Sequence, residues 1–562
     1  MNKTNLHHTS KEKIKRYLIK SKENSMARPV KENKISMHAW KMLAILSSLA
    51  TMVMYAETML IPAIPNMIND FHISYGMSSW ILTSYLIAGA VITPIAGSLS
   101  DIYGKKKVLL VIMIIYAIGV SMAGLSTDII TLLLARTVQG IGISMFPIAF
   151  SIIRDLFPRE KISIGQGVIT SMFAAGSVIG LSVGGIIIQE YGWRMTFFMI
   201  IPISFLLLFI IRKYIHVESE IGSQARQKKI TEHVANVEKT NSSIDESRLN
   251  IENNILKINS EENSINKKDN QKKNRIDIKG GITLAITIIS FLLALTLIHS
   301  DIEFVPSSQN DFFSTIVRIL PFITVGIVSL ILFILIEKRT QLPLINLKIF
   351  NTTMIFSSMV IMIVGMSMFM VFQTMPILVQ TPIPIGFGED PIATGQIQLP
   401  FSIVLLIFGP ASGFIISKLG TIKPLILGSL LTTVGFAGLF IFHSDFIHIS
   451  INLAILSSGL SFASVGAMNV IILATPREYS GVTIGVSSLL RITGASIGPV
   501  LASMYMEINQ IPLRINGTYT YFPSPFSFDF IFFTAIVLSI ISLIFSILVS
   551  RKIMKMSIPN LT

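Results

Sequence analysis

Residues 51–66, TMVMYAETMLIPAIPN, hold one charged group, the carboxylate of Glu57. The run before it, WKMLAILSSLATMVMYA, reads as a helix entering a membrane. Ionisation in hydrocarbon costs several kcal/mol or more. A chain that keeps an acid there uses it for chemistry or gives it a counter-charge. The chemistry open to a lone membrane acid is exchange: it alternates between a protonated form and a form that engages a substrate. Sixteen residues separate Lys41 from Glu57, about 24 Å of helix at about 1.5 Å per residue. That places the carboxylate in the outer half of a core about 30 Å thick. It is the only acid that the sequence sets well inside a span.

A second charge lies in LLLARTVQGIGISMFP. Arg136 falls about seven residues, or about 10 Å, into its apolar stretch. That depth is awkward for a side chain snorkelling to an interface, so an acceptor or counter-ion is expected. Glu57 is the natural candidate. It could equally anchor this arginine and hold two helices together, and the two roles are compatible. Gln139, Gln373 and Asn469 also fall within apolar stretches, where they line a cavity or bond neighbouring helices. Arg491 reads as a packing or gating residue. The methionines of MIVGMSMFMVFQTM (Met362, Met366, Met368, Met370, Met375) suit an adaptable apolar cavity better than a copper site. No Ser/His/Asp set, phosphate-cradling loop or metal-spaced cluster stands out, so no enzyme chemistry, ATP use, metal or cofactor is expected.

The elements that must carry these residues follow from composition. The chain has 562 residues, is 51% hydrophobic and 14% charged, and contains 0 Cys. A soluble protein carries about 25% charged residues, so this is an integral membrane protein, and the missing thiols exclude disulfides and a Cys nucleophile. Residues 1–39 are polar and basic, without the pattern of a cleavable signal. Apolar runs long enough to span a bilayer fall near 41–64, 79–100, 107–126, 129–152, 165–188, 194–212, 281–299, 316–336, 353–378, 396–416, 424–443, 449–474, 481–505 and 528–549.

The net charge of +14 is scattered over short connections on one side: Lys105–Lys107, Arg154, Arg159, Lys161, Lys338, Arg339, Lys348, Lys418, Lys423, Arg477, Arg551, Lys552 and Lys555. The other side holds mostly acids, among them Asp70, Asp128, Asp301, Glu303, Glu389, Asp390 and Asp445. This scatter argues against a nucleic-acid face and places both termini in the cytoplasm. Residues 213–279 are rich in Asn, Lys, Glu and Ser and read as a disordered cytoplasmic linker.

An internal repeat is visible. PIAGSLSDIYGKKK from Pro94 aligns without a gap with PASGFIISKLGTIK from Pro410. GVITSMFAAGSVIG from Gly167 aligns with GVSSLLRITGASIG from Gly485. The chain therefore divides into a basic tail (1–39), a six-helix half (40–212), the linker (213–279), an extra helix pair (280–340), a second six-helix half (341–550) and a short tail (551–562). Parallel halves of this kind belong to alternating-access transporters.

At the level of motifs the chain resembles the major facilitator superfamily, and within it the 14-helix drug:proton antiporter branch. GSLSDIYGKKKVLL is similar to the family's G-x-L-x-D-x-x-G-[RK]-[RK] signature, with Gly97, Asp101, Gly104, Lys105 and Lys106 in place. Ile102 stands where a basic residue is usual. The resemblance implies that Asp101 latches one state against a helix N-terminus, plausibly near Ser480–Gly481. RTVQG at Arg136 is similar to the branch's R-x-x-q-G motif, which implies a part in proton coupling beside Glu57. GSVIGLSVGG, with Gly176, Gly180, Gly184 and Gly185, resembles the antiporter motif, although Gly180-Leu181 stands where Gly-Pro is usual; Gly498-Pro499 appears in the repeat copy. A small-residue interface between helices is the alternative for these glycines.

The implied fold is an all-α integral membrane major facilitator fold with 14 transmembrane helices. The implied function is proton-coupled export of hydrophobic or cationic drugs by a plasma-membrane monomer, powered by the proton gradient. Two readings remain open beside it: a same-fold importer or exporter of a metabolite, peptide or lipid, and a membrane sensor acting through the linker.

Overall fold

In hydrocarbon an apolar segment must satisfy its own backbone groups, and a helix does so. The structure, a computed structural model, describes residues 35–158, 161–215, 278–297, 309–340, 351–475, 480–515 and 518–555. The basic tail to residue 34, nearly all of the linker, and Arg159, Asp301, Glu303, Lys348 and Arg477 lie outside the described residues.

The first half contains α1 (Met37–Thr58), α2 (Ile64–Phe71), α3 (Tyr75–Tyr103), α4 (Lys105–Gly124), α5 (Ile129–Gly140), α6 (Met145–Leu156), α7 (Ile162–Tyr191) and α8 (Trp193–Tyr214). An extra pair follows, α9 (Ile278–Leu297) and α10 (Gln309–Arg339). The second half contains α11 (Thr352–Gln380), α12 (Pro391–Leu419), α13 (Ile422–Ile441), α14 (Phe446–Ala474), α15 (Ser480–Ile508) and α16 (Pro525–Lys555). Among the described residues, 13 helical segments are long and apolar enough to cross a membrane, and α9 adds a further apolar helix. The alternation of direction brings the start of α1 and the end of α16 to one face, called here the terminal end; the opposite face is the far end.

Two spans are interrupted. Pro62 lacks an N–H and its ring opposes the carbonyl four residues back. Accordingly α1 stops at Thr58, a 3₁₀ turn covers Ile61–Ala63, and α2 completes the crossing. Pro147 acts likewise between α5 and α6, after a 3₁₀ turn at Ile141–Ser144. Glu57 therefore sits in the last turn before one interruption, and Arg136 in the last turns before the other.

At the far end, side chains cap the helices entering the bilayer: Ser74 for α3, Asp128 for α5, Asp390 for α12 and Asp445 for α14. The Thr131 hydroxyl and amide hold the Asp128 carboxyl below the ordinary carboxylate range. The sequence reading assigned no strand, yet Gln510–Ile515 (β1) and Thr518–Pro523 (β2) pair antiparallel at the far end, with Ile515 opposite Thr518. The sequence places Asn516-Gly517 between them, a dipeptide suited to a tight hairpin turn.

The halves repeat each other's packing. In the first, α7 lies on α1, α5 on α3 and α4, and α8 on α4; in the second, α15 lies on α11, α14 on α12 and α13, and α16 on α13. Across the middle, α3 meets α15 and α7 meets α12. The extra pair packs on itself, and α9 also leans on α3 and α15, where Ile288 joins Ile87 and Val500.

Candidate functional site

Glu57 is 6% exposed, and among the described residues its side chain makes no hydrogen bond or ion pair. Two cations act on it electrostatically, Arg491 from the second half and Arg136 from its own. Arg136 is fully buried on α5. Its partner is not the Glu57 carboxylate, as the sequence suggested. Nε donates to the Ile81 carbonyl at 3.1 Å, and Nη1 donates to the Ala56 carbonyl at 3.4 Å and to Gln139 Oε1 at 2.7 Å. The Tyr85 ring lies under the guanidinium, 4.4 Å from its carbon. These contacts bind α5 to α1 and α3 through backbone oxygens, and they leave Glu57 unclaimed. The break after Thr58 favours the bond to Ala56, because the end of α1 presents carbonyls that the helix itself does not use.

The glycine row of α7 explains how Glu57 is placed. A Cβ at Gly176 would strike the Thr51 carbonyl, and one at Gly184 would lie 2.7 Å from the Met59 carbonyl. A Cβ at Gly180 would meet the Thr58 side chain and lie 2.9 Å from the Tyr55 carbonyl. Three of the four glycines therefore let α7 lie against the backbone of α1 on either side of Glu57. Gly185 points elsewhere: its Cβ would lie 2.7 Å from the Pro391 carbonyl, across the seam between α7 and α12. The repeat reproduces the first pattern, since Gly494 and Gly498 of α15 fit against the Met362 and Met366 carbonyls of α11.

The other sequence candidates separate. Gln139 serves Arg136. Gln373 donates to the Ser78 hydroxyl at 3.0 Å and so joins the two halves. Asn469 bonds the Val465 carbonyl of its own helix at 2.8 Å, rather than a neighbouring helix. Arg491 is half-buried, and no hydrogen bond engages its side chain among the described residues. In the loop before α4, Gly104 adopts φ 92°, which a residue with a Cβ strains to reach. Lys105 bonds the Ser151 carbonyl at 3.1 Å and pairs with Asp155, both within its own half. Lys106 is half-buried, Gly97 has open space around it, and the Asp101 side chain lies outside the described residues, as do those of Ser480 and Gly481.

The seams differ along their length. Near the far end the halves touch: Thr83 donates to the Ser496 carbonyl at 3.2 Å, Gln380 to the Pro62 carbonyl at 2.7 Å, and Gly395 fits against the Leu181 carbonyl. Toward the terminal end, a Cβ at Gly97, Gly167, Gly409 or Gly485 would meet nothing within 4 Å. Among the described residues, the hydrogen bonds between the halves lie toward the far end. The sequence reading missed one member of the far end, Glu507, because it ended that span at residue 505 whereas α15 runs to Ile508.

Two repeated six-helix halves with a buried acid that makes no hydrogen bond or ion pair among the described residues have the architecture of a membrane transporter. A profile of the Major Facilitator Superfamily matches residues 46–499, and the chain belongs to that family. It is 22% identical to "Multidrug resistance protein Stp" of Mycobacterium tuberculosis (strain CDC 1551 / Oshkosh), over 78% of this chain and 70% of that one. It is 24% identical to "Multidrug transporter protein MdtP" of Bacillus subtilis (strain 168), over 79% and 71%. It is 25% identical to the "Tetracenomycin C resistance and export protein" of Streptomyces glaucescens, over 83% and 76%. These relatives are consistent with the 14-helix drug-transporting branch. The crystal structure of the human organic anion transporter MFSD10 (TETRAN) shares the fold, with a TM-score of 0.52 at 12% identity over 90% of this chain and 99% of that one.

Proposed function

We propose that this transporter exports apolar compounds, drugs among them, in exchange for protons, with Glu57 as the exchanging acid. The observation that carries this reading is the Glu57 carboxylate itself: 6% exposed, without a hydrogen bond among the described residues, and acted on electrostatically by an arginine of each half. A buried acid fixed in an ion pair has little to exchange. One left free of direct contacts can take up a proton from one side and release it to the other as the halves rock. The resistance and export names of the relatives support an outward direction.

The terminal end carries Lys105, Arg154, Lys161, Lys213, Lys338, Lys418, Lys423 and Arg551, and the far end carries Asp70, Asp128, Glu389, Asp390 and Asp445. This asymmetry supports cytoplasmic termini. With that orientation the far end, where the described hydrogen bonds join the halves, is the outer end. The protein works as a plasma-membrane monomer and draws on the proton gradient without a cofactor. Its substrates are apolar, and a cationic one would compete with Arg491 for the ionised acid.

The test is transport by Glu57→Gln in membrane vesicles with an imposed pH gradient, alongside a drug-susceptibility panel. The variant should insert at normal levels and lose gradient-driven efflux. Gradient-driven transport at the wild-type rate would end the proposal. A second reading, transport of one defined metabolite, peptide or lipid in either direction, is favoured by Leu181, where the drug:proton branch carries proline. Reversing the imposed gradient with a substrate panel separates the two.

A further inference from the structure

Of the hydrogen bonds joining the halves at the far end among the described residues, one carries a formal charge. Glu507, half-buried in the last turn of α15, accepts from the Gly76 amide at 3.1 Å. The Tyr75 amide and the Ser74 hydroxyl engage the same carboxylate. These donors are the N-cap and first two residues of α3. The amides at a helix start have no partner within the helix, and the helix dipole is positive there. A carboxylate of one half therefore caps a helix of the other. The remaining bonds between the halves, Thr83 to Ser496, Gln373 to Ser78 and Gln380 to Pro62, join neutral groups. At the second seam the start of α12 is capped by its own Asp390.

We propose that Glu507 is the latch of the far gate, holding α15 to the start of α3 in this state and releasing it when that end opens. The geometry has a counterpart in sequence at the other end of the same two helices. α3 and α15 run antiparallel and are 29 residues long each. Asp101 lies in the last turn of α3, as Glu507 lies in the last turn of α15. When rigid halves rock about a central site, closing one end parts the other, so a contact held at the far end is released as that end opens. This latch rests on the alternating-access reading, and on neither the proton nor the substrate.

The chain has 0 Cys, so an introduced thiol reports alone. Ser503 lies one turn before Glu507 on the same face, is 1% exposed, and bonds only the Val500 carbonyl of its own helix. Intact cells carrying Ser503→Cys would be treated with a membrane-impermeant maleimide. Adding Glu507→Gln or Ser74→Ala should raise the labelling rate about fivefold, the scale of one charge–dipole contact. A thiol at the terminal end, Gly167→Cys, where the glycine has open space, probed in inside-out vesicles, should label more slowly with either change. Unaltered labelling at both positions would overturn the latch, because a cap that only stabilises the fold leaves the gate where it is. A rise at both positions would overturn it too, since that marks general loosening. Failure of the proton reading shows instead in the transport of Glu57→Gln, which these labelling rates do not measure.

Discussion

Arg136 and Glu57 divide the work that one ion pair would otherwise do. An arginine buried in hydrocarbon needs acceptors wherever it finds them, and here two carbonyls, an amide oxygen and a tyrosine ring supply them. Replacing it strands those acceptors. Arg136→Met should destabilise the protein by about 3 kcal/mol, since each orphaned buried acceptor costs about 1–3 kcal/mol. Thermal unfolding in detergent checks this. Arg136→Lys should fall between, because an ammonium cannot match the guanidinium's fixed fork. Glu57→Gln, which breaks no contact, should unfold at the wild-type temperature. The two charges were legible in sequence because charge stands out against apolar runs. Their non-contact was not, because partner choice depends on which backbone carbonyls the neighbouring helices bring within reach.

Helices show the same division between what sequence carries and what packing decides. Span positions follow from apolar length, and the repeat was visible in its glycines. Which helix each glycine touches was not, since a glycine row has no side chain to mark its neighbour. The structure separates two kinds of glycine that look alike in sequence. Gly180→Ala sets a methyl group 2.9 Å from the Tyr55 carbonyl and should cost about 1–3 kcal/mol. Gly167→Ala adds its methyl to open space and should be neutral or stabilising by up to about 1 kcal/mol, as alanine is the better helix former. Melting temperatures of the two variants, measured side by side, decide it; equal losses would refute the assignment of α7's contacts. The hairpin of β1 and β2 also went unread. Its alternation in QIPLRINGTYTYFP is short, and the long apolar spans beside it dominate any hydropathy reading.

At the scale of the molecule, the hydrogen bonds between the halves lie toward the far end among the described residues, so on the proposed cycle joining the halves there should arrest transport. Thr83→Cys with Ser496→Cys places thiols on α3 and α15 where the native side chain reaches across at 3.2 Å. Oxidation should crosslink the pair and stop transport, and a reductant should restore it. Transport that continues while the crosslink is intact would refute alternating closure at this end. The two-half plan was legible from repeat and charge; the conformational state was not, because a transporter's sequence must serve every state of its cycle.

The extra pair α9–α10 stands beside one seam. Through α9 it backs the meeting of α3 and α15, and among the described residues no third helix packs across the meeting of α7 and α12 in the same way. Among the described residues, one seam is therefore backed by a third helix and the other is not. In the proposed cycle the extra pair would act as a splint on one flank, so that the two seams need not yield equally.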